Sequence, residues 1–206
     1  GVSGHGARSF YYPPEAVANC AGCHMPLKPA KKDFSAQMFP GAKEPSLHDH
    51  VFPAANTAIA WLKDGPEAQK AHEDFLKAKT RIDIFALREG GTIDGKLLAP
   101  IRPTLPVLKP GQEYLLETVV RTLKVGHPLT QGTVDSNEIW VDLTVKQGDR
   151  VIGRSGALDP KGEVDKYAHF LNVFMLSRTG ERINRRNPQD IFTPLYNHQI
   201  PPGAGQ

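Results

Sequence analysis

The chain has 206 residues, enough for one large domain or one domain with a smaller companion. Its 39% apolar content excludes wholesale disorder, and 25 basic against 22 acidic residues, a net +3, leave no basic footprint for nucleic acid. No apolar run approaches the roughly 18 residues of a membrane span, and no signal-peptide pattern opens the chain, whose start at Gly1 without a Met favours a processed or excised form.

In chain order, the first chemically specific segment is Cys20-Ala21-Gly22-Cys23-His24, which holds both cysteines of the chain. This C-x-x-C-H spacing is the attachment pattern of c-type haem. On a helix, positions three apart share a face, so both thiols reach one edge of the macrocycle, and His24 emerges on that face to offer an imidazole to iron. Pro13-Pro14-Glu15 suits the start of a short helix, and Pro26 disfavours helix at Met25 and so ends it. A thioredoxin-like redox pair should follow a buried strand and open a longer helix, which residues 9–14 do not provide. A structural zinc site needs more thiols or a second spaced His pair. One covalent haem c is therefore the preferred reading. Attachment through both thiols implies an exported, oxidising compartment, periplasmic or extracellular.

Residues 27–33 and 41–53 read as loops, the second carrying His48 and His50. Asn56 suits an N-cap for a helix over Thr57–Lys63 that Asp64-Gly65 ends. Pro66 then starts another helix, with Ala68, Ala71, His72, Phe75 and Leu76 on one face. From Arg81 the texture changes to alternation. Residues 81–87, 113–125, 138–145 and 169–176 read as strands, separated by turns at Lys109-Pro110-Gly111, Gln147-Gly148-Asp149 and Asp159-Pro160-Lys161-Gly162. The predicted fold is α+β: a small helical and irregular haem-c-binding part over residues 1–79, then an antiparallel β-sandwich of Ig-like layout over residues 80–206. The tail from Gln199 to Gln206 reads as a strand-to-turn passage cut short, so the sandwich is expected to be truncated.

The stretch from Phe10-Tyr11-Tyr12-Pro13-Pro14-Glu15 through Val17, Asn19, Cys20, Cys23 and His24 to Met25-Pro26 resembles the last haem-binding segment of bacterial multihaem c-type cytochromes. Four further sections are similar to the β-rich tail module that follows that segment. They are His50-x-Phe52-x-x-Ala55-Asn56-Thr57-Ala58, Gly126-His127-x-x-Thr130-Gln131-Gly132-Thr133, Ser136-Asn137-Glu138-x-Trp140, and Asn187 through Tyr196-x-His198 to Pro201-Pro202-Gly203. The likeness covers nearly the whole chain. It implies electron transfer within a larger assembly, with other haem-bearing subunits or segments as redox partners, since such proteins usually carry several C-x-x-C-H motifs and this chain has one.

The sixth iron ligand sets the potential: Met raises it and a second His keeps it low. Met25 adjoins the proximal His and cannot reach the opposite haem face. Met38 suits gap-filling, and Met175 sits in a strand. His50, in a Pro-flanked loop and matching the family's His-x-Phe element, is the first choice. His127, in the turn Gly126-His127-Pro128 that follows a strand, is the alternative. His72 on an apolar helical face reads as core, and His48, His5, His169 and His198 read as ordinary hydrogen-bonding residues. Lys28, Lys31 and Lys32 suit either a solvated loop or the steering of an acidic partner. Phe10, Tyr11 and Tyr12 bury area against the haem or the sheet. Asp135, Asn137 and Glu138 offer calcium oxygens, although turn chemistry explains the first two more cheaply.

The expected function is single-electron transfer by a carrier rather than a catalyst. The alternatives are a haem subunit of a redox enzyme or gas sensor with an open sixth position, and a haem-free interaction module with a Cys20–Cys23 disulfide.

Overall fold

The computed structural model describes residues 19–129, 137–183 and 187–206. The expectations for His5, for Phe10–Tyr12, for the helix start at Pro13-Pro14-Glu15, and for Thr130–Thr133, Asp135 and Ser136 lie outside the described residues.

The architecture is α+β, with short antiparallel sheets and few helices. Helix α1 (Ala21–His24) is a single turn. Strands β1 (Leu27–Pro29) and β2 (Ser46–His48) then pair, with Leu27 opposite His48. Both lie in segments expected to be loops. They are too short to show alternation, and Pro29 suits only the end of an edge strand. Helix α2 (Thr57–Leu76) is two helices across a kink, because Gly65 takes φ 82° and Pro66 restarts the helical path. That break falls where Asp64-Gly65-Pro66 predicts it. Asn56 occupies the N-cap position, but its side chain makes no capping bond. On the second half of α2, His72 is buried and Ala68 and Phe75 are half-buried, whereas Ala71 and Leu76 are exposed.

Strands β3 (Thr80–Glu89), β4 (Leu97–Leu98) and β5 (Tyr114–Thr122) form a sheet in the order β4-β3-β5. Strands β6 (Leu143–Gln147) and β7 (Arg150–Ser155) form a hairpin, its turn carried by Gly148 at φ 58°. Strands β8 (Val173–Leu176), β9 (Arg182–Ile183) and β10 (Thr193–Asn197) form a third sheet in the order β10-β8-β9. All four sheets are separate among the described residues. Of the expected strand 138–145, only the later part enters a ladder, while Trp140 makes an isolated bridge to Phe170.

The C-terminal segment is what closes the second half. Gln206 and Val120 exchange both backbone bonds, at 2.8 and 2.9 Å, and Thr122 N–H donates to the Ala204 carbonyl at 3.0 Å. The tail thus runs along the free edge of β5 and covers it. Ile200 is fully buried and its backbone pairs both ways with Leu129, at 2.8 and 2.9 Å. Other buried apolar side chains are Ala168, Leu171, Val173 and Ile183 around β8 and β9, Ala86 within β3, Ile101 in the loop after β4, and Ala60 in α2. No described helix is long and apolar enough to cross a membrane.

Candidate functional site

The C-x-x-C-H segment folds as one helical turn. The Cys20 carbonyl accepts from the amides of Cys23 and His24, at 3.2 and 2.9 Å, and the Ala21 carbonyl accepts from Met25 at 2.9 Å. Asn19 Oδ1 accepts the Ala21 amide at 2.9 Å, satisfying one of the donors a helix start leaves open. Met25 leaves the helix at φ −132°, as a residue before proline should. Both thiols are free and exposed, one helical turn apart. That is the arrangement two thioether bonds to one ligand edge require.

His24 is held from the side. Its Nδ1–H donates to the Pro53 carbonyl at 2.8 Å, because a carbonyl can only accept. In the neutral ring this places the lone pair on Nε2, the nitrogen then available to a metal. Phe75 packs on the same ring, with centroids 5.1 Å apart, and Lys79 Nζ lies 4.4 Å above the Phe75 ring. Pro53 is itself held in place. Phe52 turns the chain at φ 47°, a value bulky residues rarely adopt. Next to Pro53, Ala54 has its amide and carbonyl each 3.1 Å from Nδ1 of the buried His72. His72 is therefore the packed core histidine its helical face predicts, and it supports the loop that orients His24.

The second ring beside His24 is that of His127. Their centroids lie 6.2 Å apart, with the planes 15° from parallel. His127 Nδ1 lies 2.9 Å from the Pro128 carbonyl, which again assigns the proton to Nδ1. The rings are stacked, at a separation toward the long end for rings in contact. Two exposed thiols, an oriented imidazole and a second imidazole stacked beside it are donor types that haem c takes.

His50 is exposed, with its ring 5.7 Å from that of Phe52 in an edge-on contact. His48 has Nδ1 2.7 Å from the Met25 carbonyl and its ring against Phe39, which fastens β2 to the end of α1. His198 Nδ1 lies 2.6 Å from the Tyr196 hydroxyl, whose pKa burial raises, and His169 Nε2 lies 3.2 Å from Gln206 Oε1. Met38 is exposed, and Met175 sits in β8 opposite Pro194 and Ile183.

The basic loop is partly neutralised. Lys28 pairs with Asp49, whose carboxyl that ammonium holds below its ordinary value, and Lys31 pairs with Glu44. Glu138 faces Arg182 at 3.8 Å. No cluster of three or more metal-ligating His, Cys, Asp or Glu side chains occurs among the described residues.

Pro53 and Ile200 are the contributors that sequence reasoning missed. One acts through a backbone carbonyl and the other through burial, and neither leaves a motif. No protein-family model, curated protein or solved structure matches the chain.

Proposed function

We propose that the chain is an extracytoplasmic electron-transfer module carrying one covalent haem c. Cys20 and Cys23 form the two thioether bonds, His24 is the proximal ligand, and His127 rather than His50 is the distal one. The observation that carries this reading is the near-parallel pairing of His127 with His24 beside two exposed thiols. Haem c supplies a one-electron iron couple when bound, and a second imidazole keeps its potential lower than a methionine would.

The chain's own residues do the positioning. The Pro53 carbonyl fixes the His24 tautomer, Phe75 limits tilt of that ring, and the Leu129–Ile200 pairing holds the segment that carries His127. If His24 and His127 both held the iron, no coordination position would stay open for a small substrate. That favours a carrier over a redox enzyme subunit or gas sensor.

In this reading residues 1–79 hold the haem attachment motif, and residues 80–206 supply His127 and a scaffold whose antiparallel sheets are layers of an Ig-like sandwich. Redox proteins, including other haem-bearing subunits or segments, are the partners. Apolar side chains left open at Trp61, Leu62, Leu105 and Val107 support burial against such neighbours.

The test is expression with export and haem-attachment machinery, followed by intact mass and a pyridine haemochrome spectrum. A mass increase of one haem, lost when Cys20 and Cys23 are both replaced by Ala, is the expected result. A mass equal to the bare polypeptide, with both thiols open to alkylation, overturns the proposal.

A further inference from the structure

A cavity of about 360 Å³ lies between β3, β5 and the loop around Pro100–Arg102. Its origin is a fault in the β3–β5 ladder. The register slips between Ile84 and Ala86, leaving Phe85 as the extra residue of a β-bulge. In a regular strand, alternate side chains face opposite ways. Here Asp83, Ile84 and Phe85 all line the same cavity, because the bulge re-aims them. The Phe85 carbonyl accepts the Ile101 amide at 3.1 Å, which pins the loop over the bulge, with the Ile101 side chain buried beneath.

The charges around this apolar bed do not cancel. Arg81 and Arg121 face each other across the ladder, and both donate to Asp83, at 2.6 and 2.9 Å. Arg102, from the loop, is exposed and has no ion-pair partner among the described residues. Three guanidiniums meet one carboxylate, a surplus of two positive charges over a bed of Phe85, Ile101 and Val119. Guanidinium forks match planar and tetrahedral oxyanions, and a small concave site with an apolar lining and a few convergent charges suits a small-molecule ligand.

We propose that this cavity binds a small organic oxyanion, a carboxylate or phosphate monoester on an apolar body. Arg102 and Arg121 take the headgroup, and Phe85 with Ile101 takes the body. The site is independent of the haem reading, since none of its lining residues touches His24 or His127 in the ring contacts described above.

The experiment is calorimetric titration of the full chain at low salt with phenyl phosphate, inorganic phosphate and benzyl alcohol. Phenyl phosphate is expected to saturate one site, inorganic phosphate to bind at least about tenfold more weakly, and benzyl alcohol not to bind. Arg102→Ala and Arg102→Gln, at an exposed position, should each weaken phenyl phosphate by about tenfold or more while leaving the far-UV dichroism unchanged. The absence of saturable binding, equal affinity for the two phosphates, or unchanged affinity in both Arg102 variants overturns the proposal.

Discussion

Replacing Ile200 by Ala tests how the C-terminal segment supports the site. Ile200 is 0% exposed, and its backbone is bridged to Leu129, two residues beyond His127. The substitution removes about three buried carbon groups at about 0.8 kcal/mol each. The cavity left behind adds to this, giving about 3 kcal/mol, inside the range for large-to-Ala changes in cores. For a chain of this size that corresponds to a fall in Tm of about 6–12 °C. Urea unfolding followed by far-UV dichroism measures the loss, and under the proposed function the ferric spectrum of haem-loaded protein reads the second consequence. A loosened Leu129 bridge should add a high-spin fraction, because the segment carrying His127 loses its anchor. A stability loss below about 1 kcal/mol, with an unchanged spectrum, refutes the reasoning, since a fully buried isoleucine cannot be trimmed that cheaply.

Two further outcomes follow from the same geometry. Thr122 is 2% exposed, and its hydroxyl donates to the Pro201 carbonyl at 2.7 Å. Thr122→Val should cost about 1 kcal/mol by urea unfolding, at the low end for a buried bond, because the carbonyl keeps the Ala204 amide as a partner. Asp74, hydrogen-bonded by Lys70 and Lys77, has its carboxyl lowered from 3.8 to about 2. A depressed folded-state pKa contributes stability above the unfolded value, and that contribution is lost as pH falls through about 2. Thermal scans should therefore find Asp74→Asn less stable than the parent at pH 7 and indistinguishable from it below about pH 2.

What was legible in the sequence is what local chemistry specifies. The helical turn at Cys20–His24, the break at Gly65-Pro66, long strands such as Thr80–Glu89, and the turns at Gly111, Gly148 and Gly162 all follow from spacing, proline and glycine. The β1–β2 pair was not legible, because three-residue strands carry no periodicity and their register depends on contacts with the end of α1. Nor were β7 and β10, each with most of its residues exposed. At the site, the motif announces Cys20, Cys23 and His24. The choice between His50 and His127 depends on which loop the fold brings to His24, a long-range fact set by the Leu129–Ile200 bridge and the Lys79–Leu123 backbone bond. Nearness in sequence favoured His50. The fold stacks the His127 ring beside that of His24.

The most direct test of the proposed haem site is the ferric spin state of haem-loaded protein in two variants, His127→Ala and His50→Ala, prepared side by side and read by electron paramagnetic resonance. Loss of the low-spin signal in the His127 variant alone is the predicted result. A low-spin signal that survives removal of His127 and disappears with His50 contradicts the account.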